Sequence, residues 1–458
     1  MGDFDAIIIG AGQAGPSLAG RLSSAGMTVA LIERHLFGGT CVNTGCMPTK
    51  TLVASAYAAH LARRSADYGV LFDGPVRIDM ARVKARADAV SRNARTGVES
   101  WLRGMKGCTV LQGAARFVSP DTVAMGSERL RARRIFVNVG GRAIVPELPG
   151  VDSVNTLTNR SMLALEEVPD HLLVIGGSYI GLEFAQMYRR FGARVTVIEQ
   201  APRLVMREDE EISASIREIL EDEGITVRTG AQCIRIGPHA AGVAVAVDCG
   251  SGAPEVVGSH LLLAVGRRPN TDDLGLDKAG IATDARGYIR VDDQLATNVP
   301  GIWALGDCNG RGAFTHTAYN DFEIVAANLL DGETRRVSQR IPAYALFIDP
   351  PLGRVGISET EARASGRPLL VGRRPMTRVG RAVEKDETKG FMKVVVDAET
   401  SKILGAAILG TGGDEAIHGI LDIMNAGISY TALQQAVPIH PTVSELIPTM
   451  LGEMEAVS

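Results

Sequence analysis

The sequence lacks long apolar runs and basic tracts, and both absences exclude classes of function. Its apolar stretches fall far short of the roughly 18 residues that a membrane span requires. An apolar strand-like segment begins too close to the first residue for a secretory signal to precede it. The net charge is −4, which gives no electrostatic case for nucleic acid as a partner. We therefore expect a cytoplasmic protein with no membrane or nucleic-acid partner.

Cysteine is also scarce, with 6 residues among 458. In a reducing compartment, this number does not indicate a disulfide framework. The scattered cysteines are expected to be packing residues; they are Cys108, Cys233, Cys249 and Cys308. Cys41 and Cys46 differ because they lie close together.

The length predicts about three or four domains.

A strand, glycine turn, helix and second strand ending in an acid occur twice in the sequence. The residues that mark the two copies are Gly10, Gly12, Gly15 and Glu33, and then Gly176, Ser178, Gly181 and Glu199. The glycines permit a tight turn, close approach to a pyrophosphate and close helix–strand packing. The terminal acid can bind ribose hydroxyls. Two dinucleotide sites in one chain indicate electron transfer between two different dinucleotides.

Cys41 and Cys46 follow directly after the first of these units, in the sequence Gly-Gly-Thr-Cys-Val-Asn-Thr-Gly-Cys-Met-Pro-Thr-Lys. A close cysteine pair inside a nucleotide-binding region favours catalytic redox chemistry over a structural role. Because the pair adjoins the first unit, that unit is expected to hold the cofactor nearest the thiols.

Six motifs in a fixed order resemble the class I pyridine nucleotide–disulfide oxidoreductases, which include dihydrolipoamide dehydrogenase, glutathione reductase and mercuric reductase. The resemblance extends over essentially the whole chain. The motifs occupy residues 10–15, 38–50, 176–183, 266–270, 306–307 and 440–445. Residues 314–322 and 347–351 resemble the mercuric-reductase-like and hypothiocyanite-reductase-like branch more than they resemble dihydrolipoamide dehydrogenase.

The resemblance implies an α/β fold with two Rossmann-like dinucleotide-binding domains and a C-terminal α+β dimerisation domain. The expected segments are 1–145 for the first part of the FAD-binding domain, 146–269 for the NAD(P)-binding domain, 270–340 for the return of the FAD-binding domain and 341–458 for dimerisation. It also implies a homodimer. No metal site is expected.

The cofactors implied by the resemblance are FAD in the first unit and NADH or NADPH in the second. The implied cofactor-binding residues are Gly10, Gly12, Gly15, Glu33, Gly39, Thr40, Lys50, Gly140, Gly176, Tyr179, Gly181, Glu199, Gly266 and Asp307. Among them, Asp307 is expected to bond the flavin ribityl chain and Tyr179 to cover the nicotinamide pocket. Glu199 favours NADH because a carboxylate repels the extra phosphate of NADPH, although Arg203 and Arg207 follow it closely enough to reach a 2′-phosphate.

The catalytic residues implied are the two cysteines, the pair Lys50 and Glu183, and the pair His440 and Glu445. By the resemblance, Cys46 faces the flavin and Cys41 exchanges with the substrate. A histidine titrates near neutrality, so His440 is suited to take a proton from Cys41 and return it to a leaving thiol. Glu445 is placed to orient the imidazole. Because this pair lies at the far end of the chain from the thiols, we expect the dimer partner to supply it.

The small-molecule substrate stays open at this point. The leading hypothesis is an NAD(P)H-dependent reductase of a disulfide or another small oxidised sulfur compound. No cysteine follows Cys308, and without such soft ligands an efficient mercury relay is not expected. The alternatives are a reductase of Hg(II) or another metal ion such as Cu(II), a dihydrolipoamide dehydrogenase, and a docking subunit of a dehydrogenase complex. His316 is predicted to lie near the flavin or the thiols, either as a positioning residue or as a packing residue.

Overall fold

The computed structural model of the chain describes residues 2–248 and 254–457. Cys249 lies outside these ranges. The strands, in chain order, are β1 (Gly2–Ile9), β2 (Val29–Glu33), β3 (Cys108–Gln112), β4 (Ala115–Ser119), β5 (Thr122–Met125), β6 (Glu128–Val137), β7 (Gly141–Ala143), β8 (Thr156–Leu157), β9 (His171–Ile175), β10 (Arg194–Ile198), β11 (Thr226–Arg228), β12 (Gln232–His239), β13 (Gly242–Asp248), β14 (Glu255–Gly258), β15 (His260–Leu263), β16 (Arg267–Pro269), β17 (Ile302–Ala304), β18 (Ala343–Leu346), β19 (Leu352–Gly356), β20 (Leu369–Pro375), β21 (Phe391–Asp397), β22 (Ile403–Leu409) and β23 (Glu455–Val457).

The α-helices are α1 (Ala14–Ser24), α2 (Gly39–Thr44), α3 (Cys46–Arg64), α4 (Met80–Arg103), α5 (Asn159–Met162), α6 (Tyr179–Phe191), α7 (Glu210–Asp222), α8 (Leu276–Ala279), α9 (Thr315–Leu330), α10 (Glu359–Ala364), α11 (Gly380–Glu384), α12 (Gly413–Ala426), α13 (Thr431–Gln434) and α14 (Ile447–Gly452). Within the described ranges, no helix is both long enough and apolar enough to cross a membrane.

The first sheet has seven strands in the order β3-β2-β1-β6-β5-β4, and β17 also pairs with β6. Strands β1, β2, β3, β6 and β17 run parallel, whereas β4 and β5 form an antiparallel extension. The inner strands are apolar on both faces because α1 and α9 pack together beside them and a second apolar cluster lies opposite. Two glycine-containing motifs follow parallel strands of this sheet directly. Residues 10–15 lie at the carboxyl end of β1, and residues 306–307 lie at the carboxyl end of β17.

The second sheet is parallel, with the order β11-β10-β9-β15-β8, and a three-stranded antiparallel sheet β12-β13-β14 is inserted before β15. Its register reproduces that of the first sheet. Ile9 pairs with Ile32 directly before the first glycine turn, and Ile175 pairs with Ile198 directly before the second. The repeat seen in the sequence is therefore a repeat in three dimensions.

The third sheet is antiparallel, with the order β18-β19-β22-β21-β20-β23, and α12 packs on β19 and β22. A short antiparallel pair, β7 with β16, links the chain entering the second sheet to the chain leaving it. The predicted fold class, two dinucleotide-binding sheets followed by a C-terminal α+β unit, is confirmed.

Candidate redox-active site

The two cysteines lie at the junction of two helices beside the first glycine turn. Cys41 is in α2 and Cys46 is the first residue of α3. A Cβ on Gly39 would stand 2.8 Å from the Cα of Gly12, and Gly39 has a φ of +63°. A side chain at this position is therefore excluded by both space and conformation. This close approach of the two backbones sets the thiols against the first dinucleotide loop.

The two thiols differ strongly in acidity. The hydrogen bond from Cys41 lowers the pKa of Cys46 to about 6, helped by the Thr315 hydroxyl and by the charge of Lys50, while burial acts in the opposite direction. The same hydrogen bond and burial raise the pKa of Cys41. The Sγ of Cys46 lies 3.1 Å from the Oγ1 of Thr315, the first residue of α9. Cys46 is thus the thiolate of the reduced pair at neutral pH, and Cys41 needs a base.

Lys50 and Glu183 join the helices of the two dinucleotide-binding units. The Nζ of Lys50 lies 2.9 and 2.7 Å from the two carboxylate oxygens of Glu183. The buried carboxylate also accepts a hydrogen bond from the backbone N–H of Phe347 at 3.1 Å. The ammonium group lies 4.6 Å from the centre of the Phe347 ring. A cation is thereby fixed one helical turn after Cys46.

The first glycine turn has the geometry of a phosphate cradle. Gly10 has a φ of +106°, and a Cβ there would collide with the carbonyl of Asn138. One carboxylate oxygen of Glu33 accepts the Ala11 N–H at 2.8 Å. No side chain caps the start of α1, so its N–H groups are directed at the place that a pyrophosphate would occupy. Gly140, with a φ of +63°, has open space where a Cβ would stand.

The second glycine turn repeats these features. Gly176 has a φ of +117°, and a Cβ there would stand too close to the carbonyl of Ala264. Glu199 accepts the Gly177 N–H at 2.5 Å and the Ala201 N–H at 2.7 Å. A Cβ at Gly181 would meet the carbonyl of Gly176, so only glycine permits this packing of α6. No side chain caps the start of α6.

Asp307, next to the first turn, has the environment of a hydroxyl acceptor. It follows β17 and faces Arg267 with 3.5 Å between carboxylate oxygen and guanidinium nitrogen. Burial raises the pKa of Asp307, and Arg267 opposes that effect. A carboxylate with such a distant counter-ion retains acceptor capacity for ligand hydroxyls. Together with the two open helix starts, this donor and acceptor set fits a dinucleotide at each turn.

His440 and Glu445 form a pair, but the chain does not bring it to the thiols. The Nδ1 of His440 lies 2.9 Å from a carboxylate oxygen of Glu445, and the imidazole is 80% exposed. Nearby, Val437 is 96% and Ile439 is 80% exposed. Within the described residues, no hydrogen bond or ion pair joins His440 to Cys41 or Cys46.

Arg203 and Arg207 turn back onto their own loop. Arg203 donates to the carbonyls of Met206 at 3.2 Å and of Glu208 at 3.0 Å. The guanidinium of Arg207 lies 5.7 Å from the ring centre of Tyr179. Among the described residues, neither guanidinium forms an ion pair with Glu199.

The sequence motifs missed several residues that the structure places at the site. Thr315 contacts Cys46, and Phe314 stacks on His316 with 5.4 Å between ring centres. The Nε2 of His316 lies 2.7 Å from the carbonyl of Ala343, so His316 fixes the backbone next to Thr315 and makes no hydrogen bond to a thiol within the described ranges. The signal that could have located Phe314 and Thr315 was their position directly before His316, which the sequence predicts to lie near the flavin or the thiols.

A second set of missed residues surrounds Tyr179. The hydroxyl of Tyr344 donates to Glu208 at 2.7 Å, and the Tyr179 ring lies edge-on to the Tyr344 ring. No motif marked Glu208 or Tyr344. Among the described residues, no group of three or more His, Cys, Asp or Glu side chains is arranged to hold a metal ion.

Two family models match the chain. One is the pyridine nucleotide-disulphide oxidoreductase, over residues 4–321, and the other is the dimerisation domain of the same proteins, over residues 342–451. A probable pyridine nucleotide-disulfide oxidoreductase of Escherichia coli, RclA, is 36% identical over 97% of this chain and 98% of its own length. A dihydrolipoyl dehydrogenase of Thermus scotoductus is 34% identical over 100% of this chain and 97% of its own length. A mercuric reductase of Bacillus cereus is 32% identical over 97% of this chain and 70% of its own length.

Solved structures give the same picture. The Cu(II) complex of the HOCl-induced flavoprotein disulfide reductase RclA from Escherichia coli superimposes with a TM-score of 0.90 at 34% identity, covering 99% of both chains. A second structure of the HOCl-induced flavoprotein disulfide reductase RclA from Escherichia coli superimposes with a TM-score of 0.89, covering 98% of this chain and 99% of the RclA chain.

Proposed function

The chain belongs to the pyridine nucleotide–disulphide oxidoreductase family, and from this premise we propose that it carries electrons from NADH, by way of FAD, to Cys41 and Cys46 and then to a small sulfur oxidant. As a flavoprotein disulfide reductase, it is an enzyme that acts on sulfur groups. The observation that supports the proposed route is the surroundings of the two thiols beside the first glycine turn, where the Thr315 hydroxyl lies 3.1 Å from the Cys46 sulfur and Glu183 fixes the Lys50 ammonium group one helical turn away. One thiol is stabilised as an anion, and the other is held as a thiol until a base removes its proton.

Bound FAD supplies acceptance of a hydride from the nicotinamide and delivery of an electron pair to sulfur. The residues around Cys46 stabilise the negative charge that the opened disulfide leaves on it. The Thr315 hydroxyl donates a hydrogen bond to the thiolate, and the N-terminal end of α9 adds a favourable dipole. Lys50 adds a full positive charge, which Glu183 keeps in place.

Substrate turnover then requires proton transfer at Cys41. His440 of the partner subunit takes the Cys41 proton, and the Cys41 thiolate attacks one sulfur of the substrate disulfide. The substrate S–S bond breaks, and the leaving sulfur takes the proton back from the imidazole. The Cys46 thiolate next attacks the sulfur of Cys41, which expels the second substrate sulfur as a thiolate and re-forms the Cys41–Cys46 disulfide; this thiolate takes its proton from water. One disulfide is thus reduced to two thiols for each pair of electrons that enters.

The exposed position of the His440–Glu445 pair supports a homodimer with shared active sites. A histidine that is 80% exposed and already oriented by a carboxylate fits a role toward a second copy. Val437 and Ile439 expose apolar surface on the same segment, within the range that the dimerisation-domain model matches. The experiment is sedimentation of the holoprotein, in which we expect a dimer.

The choice of NADH over NADPH is supported by the second glycine turn. Glu199 ends the second unit, at the position expected to bind the ribose hydroxyls. Its carboxylate accepts hydrogen bonds from two backbone N–H groups, which hold it in place. Arg203 and Arg207 are engaged elsewhere in their loop. A 2′-phosphate would meet a fixed negative charge without a matching cation. Comparison of kcat/KM for NADH and NADPH tests this choice.

The division of labour proposed for the chain follows the sheets. We assign FAD binding to 1–145 and 270–340, nicotinamide binding to 146–269, and dimerisation to 341–458. Removal of 341–458 is expected to give a monomer without disulfide turnover, because the His440–Glu445 pair is lost with it.

Reduction of a metal ion is a second candidate, favoured by one finding. The similar protein RclA has been solved as a Cu(II) complex. In this chain, the two cysteines are soft donors suited to copper, although the described residues hold no third ligand beside them. Metal-dependent NADH oxidation that is independent of any disulfide would support this candidate.

The test of the proposed function is a comparison of half-reactions. NADH is mixed without oxygen with the wild-type holoprotein and with Cys41→Ser, and flavin bleaching is followed. Steady-state turnover is then measured with lipoamide, glutathione disulfide, hypothiocyanite, Hg(II) and Cu(II). We expect Cys41→Ser to retain flavin reduction and to lose disulfide turnover. The matched control is Cys108→Ser, a half-buried thiol in β3, which should behave as wild type. Loss of flavin reduction in Cys41→Ser would contradict the proposed order of steps.

A further inference from the structure

One carboxylate oxygen of Glu208 accepts hydrogen bonds from the hydroxyl groups of two tyrosines. Tyr344 donates to its Oε1 at 2.7 Å, whereas Tyr179 lies 3.5 Å from the same atom. Tyr179 is the first residue of α6, directly after the second glycine turn, and Tyr344 lies in β18 of the third sheet. One acceptor atom therefore serves the second dinucleotide-binding unit and the C-terminal unit together.

The tyrosines lie between the second glycine turn and the redox thiols. Tyr344 stacks on Phe314 with 5.7 Å between ring centres and 12° between planes, and Tyr179 lies edge-on to Phe314 at 6.2 Å. Phe314 immediately precedes Thr315, whose hydroxyl contacts Cys46. The cluster therefore connects the residue that follows the second glycine turn with the residue that contacts Cys46.

Glu208 is the fixed member of the cluster. It is 2% exposed, and its Oε2 lies 3.8 Å from the Nε of Arg354, which is equally buried. The next residue, Asp209, binds the ammonium group of the buried Lys393 at 2.6 Å and accepts the Thr360 N–H at 3.0 Å, at the start of α10. The loop that carries Glu208 is therefore tied to the third sheet by buried ionic contacts.

Tyr179 is the weakly held member. A distance of 3.5 Å is at the outer limit of a hydrogen bond, whereas 2.7 Å is close to the optimum for hydroxyl donors. Tyr179 is only half-buried. The contact between Tyr179 and Glu208 can therefore be broken without disturbing the bond that Tyr344 makes.

We propose that Glu208 and Tyr344 are positioning residues for the nicotinamide site: they form a fixed acceptor against which Tyr179 rests, and they set how easily Tyr179 moves aside when the dinucleotide binds. This inference rests on the proposed binding of a nicotinamide dinucleotide at the second glycine turn. The sharing of one oxygen has a specific consequence. The Tyr179 hydroxyl also contacts the Tyr344 hydroxyl. If the Tyr344 hydroxyl is removed, Tyr179 is left with Oε1 alone; because a carboxylate is a stronger acceptor than a hydroxyl, this contact tightens and displacement of Tyr179 becomes harder.

The test is a double-mutant cycle with Tyr344→Phe and Tyr179→Phe in the FAD-loaded protein. Both replacements keep the aromatic rings and remove only hydroxyl groups. The dissociation constant of NAD⁺ for the oxidised protein is measured by calorimetry, a reading that involves no turnover. We expect Tyr344→Phe to weaken NAD⁺ binding by about three- to tenfold, the range of one hydrogen bond. We expect no such weakening when Tyr179→Phe is already present, because the contact that tightens is then gone.

Steady-state kinetics gives a second reading. Tyr344→Phe should raise the KM for NADH by a similar factor and leave kcat for disulfide reduction unchanged. The matched control is Tyr57→Phe, which removes a 2.6 Å bond to Glu387 on another part of the chain and should change neither quantity. Thermal unfolding of each variant checks that the fold is retained.

The outcomes separate this inference from the proposed function. Equal weakening by Tyr344→Phe with and without the Tyr179 hydroxyl would overturn the positioning role, and so would the absence of any weakening. In either case, tight binding of NAD⁺ by the wild-type protein would leave the proposed function intact. If the wild-type protein binds no nicotinamide dinucleotide, both proposals fail.

Discussion

Replacing Thr315 by valine should raise the pKa of Cys46. The hydroxyl of Thr315 lies 3.1 Å from the sulfur and stabilises its anion, and valine keeps the shape of the side chain without the donor. A hydrogen bond to a charged group contributes about 1.5–3 kcal/mol. Because sulfur is a weak acceptor, the low end applies. At about 1.4 kcal/mol per pKa unit, we expect an increase of about one unit, from about 6 to about 7.

The sign of the effect is set by the charge on the thiolate. Loss of a donor to the anion favours the thiol, so the thiolate fraction at pH 7 should fall from about nine-tenths to about one-half. The assay is the ultraviolet absorbance of the thiolate in the reduced protein, titrated with pH. The Cys46→Ser protein serves as the reference for subtraction. Burial raises the pKa of Cys108 to about 11 and that of Cys308 to about 12, so these two thiols stay protonated near neutrality and do not contribute to the absorbance change.

The control for this titration is Thr51→Val. Thr51 lies in the same helix as Cys46, and its hydroxyl donates to the carbonyl of Met47, with no contact to either thiol in the described structure. Its replacement should leave the transition near pH 6. An unchanged transition in Thr315→Val, or a neutral transition that persists in Cys46→Ser, would refute the assignment of Cys46 as the stabilised thiolate.

The remaining predictions concern the cation, the base and the first glycine turn. Lys50→Met leaves the buried Glu183 carboxylate without its counter-ion, and we expect the free energy of unfolding to fall by about 1–3 kcal/mol in thermal denaturation, less than for a wholly buried pair because Lys50 is one-third exposed. His440→Gln should slow disulfide turnover by about 10²–10⁴-fold while flavin reduction by NADH continues, and an equal loss of both would contradict its role as the base. Gly39→Ala places a Cβ against Gly12 at a positive φ, so the purified protein should contain little flavin; full flavin content would show that the two loops can separate.

The repeated units could be predicted from the sequence because their constraints are local. Each glycine turn is built from residues close together in the chain, and Gly10 and Gly176 both adopt a positive φ there. The strand registers follow, since Ile9 and Ile175 must pair just before those turns. Local sequence was therefore sufficient to place both glycine turns directly after paired parallel strands.

Contacts between distant segments could not be predicted in this way. Lys50 and Glu183 are 133 positions apart, and only the family resemblance connected them. Glu208 and Tyr344 are 136 positions apart and belong to no motif, so nothing in the sequence indicated their bond. Packing of the second and third sheets creates that contact, and its location becomes visible only in the fold.

The central claim is that the Cys46 thiolate lies against an isoalloxazine ring. The most direct measurement is an anaerobic NADH titration of the purified protein, followed by visible absorbance. We predict a yellow protein that develops a long-wavelength charge-transfer band after uptake of two electrons. In Cys41→Ser, which has no disulfide to reduce, the band should be present before NADH is added and should bleach together with the flavin, whereas in Cys46→Ser no band should form. A colourless protein, or a band that disappears with Cys41 and persists without Cys46, would contradict the account.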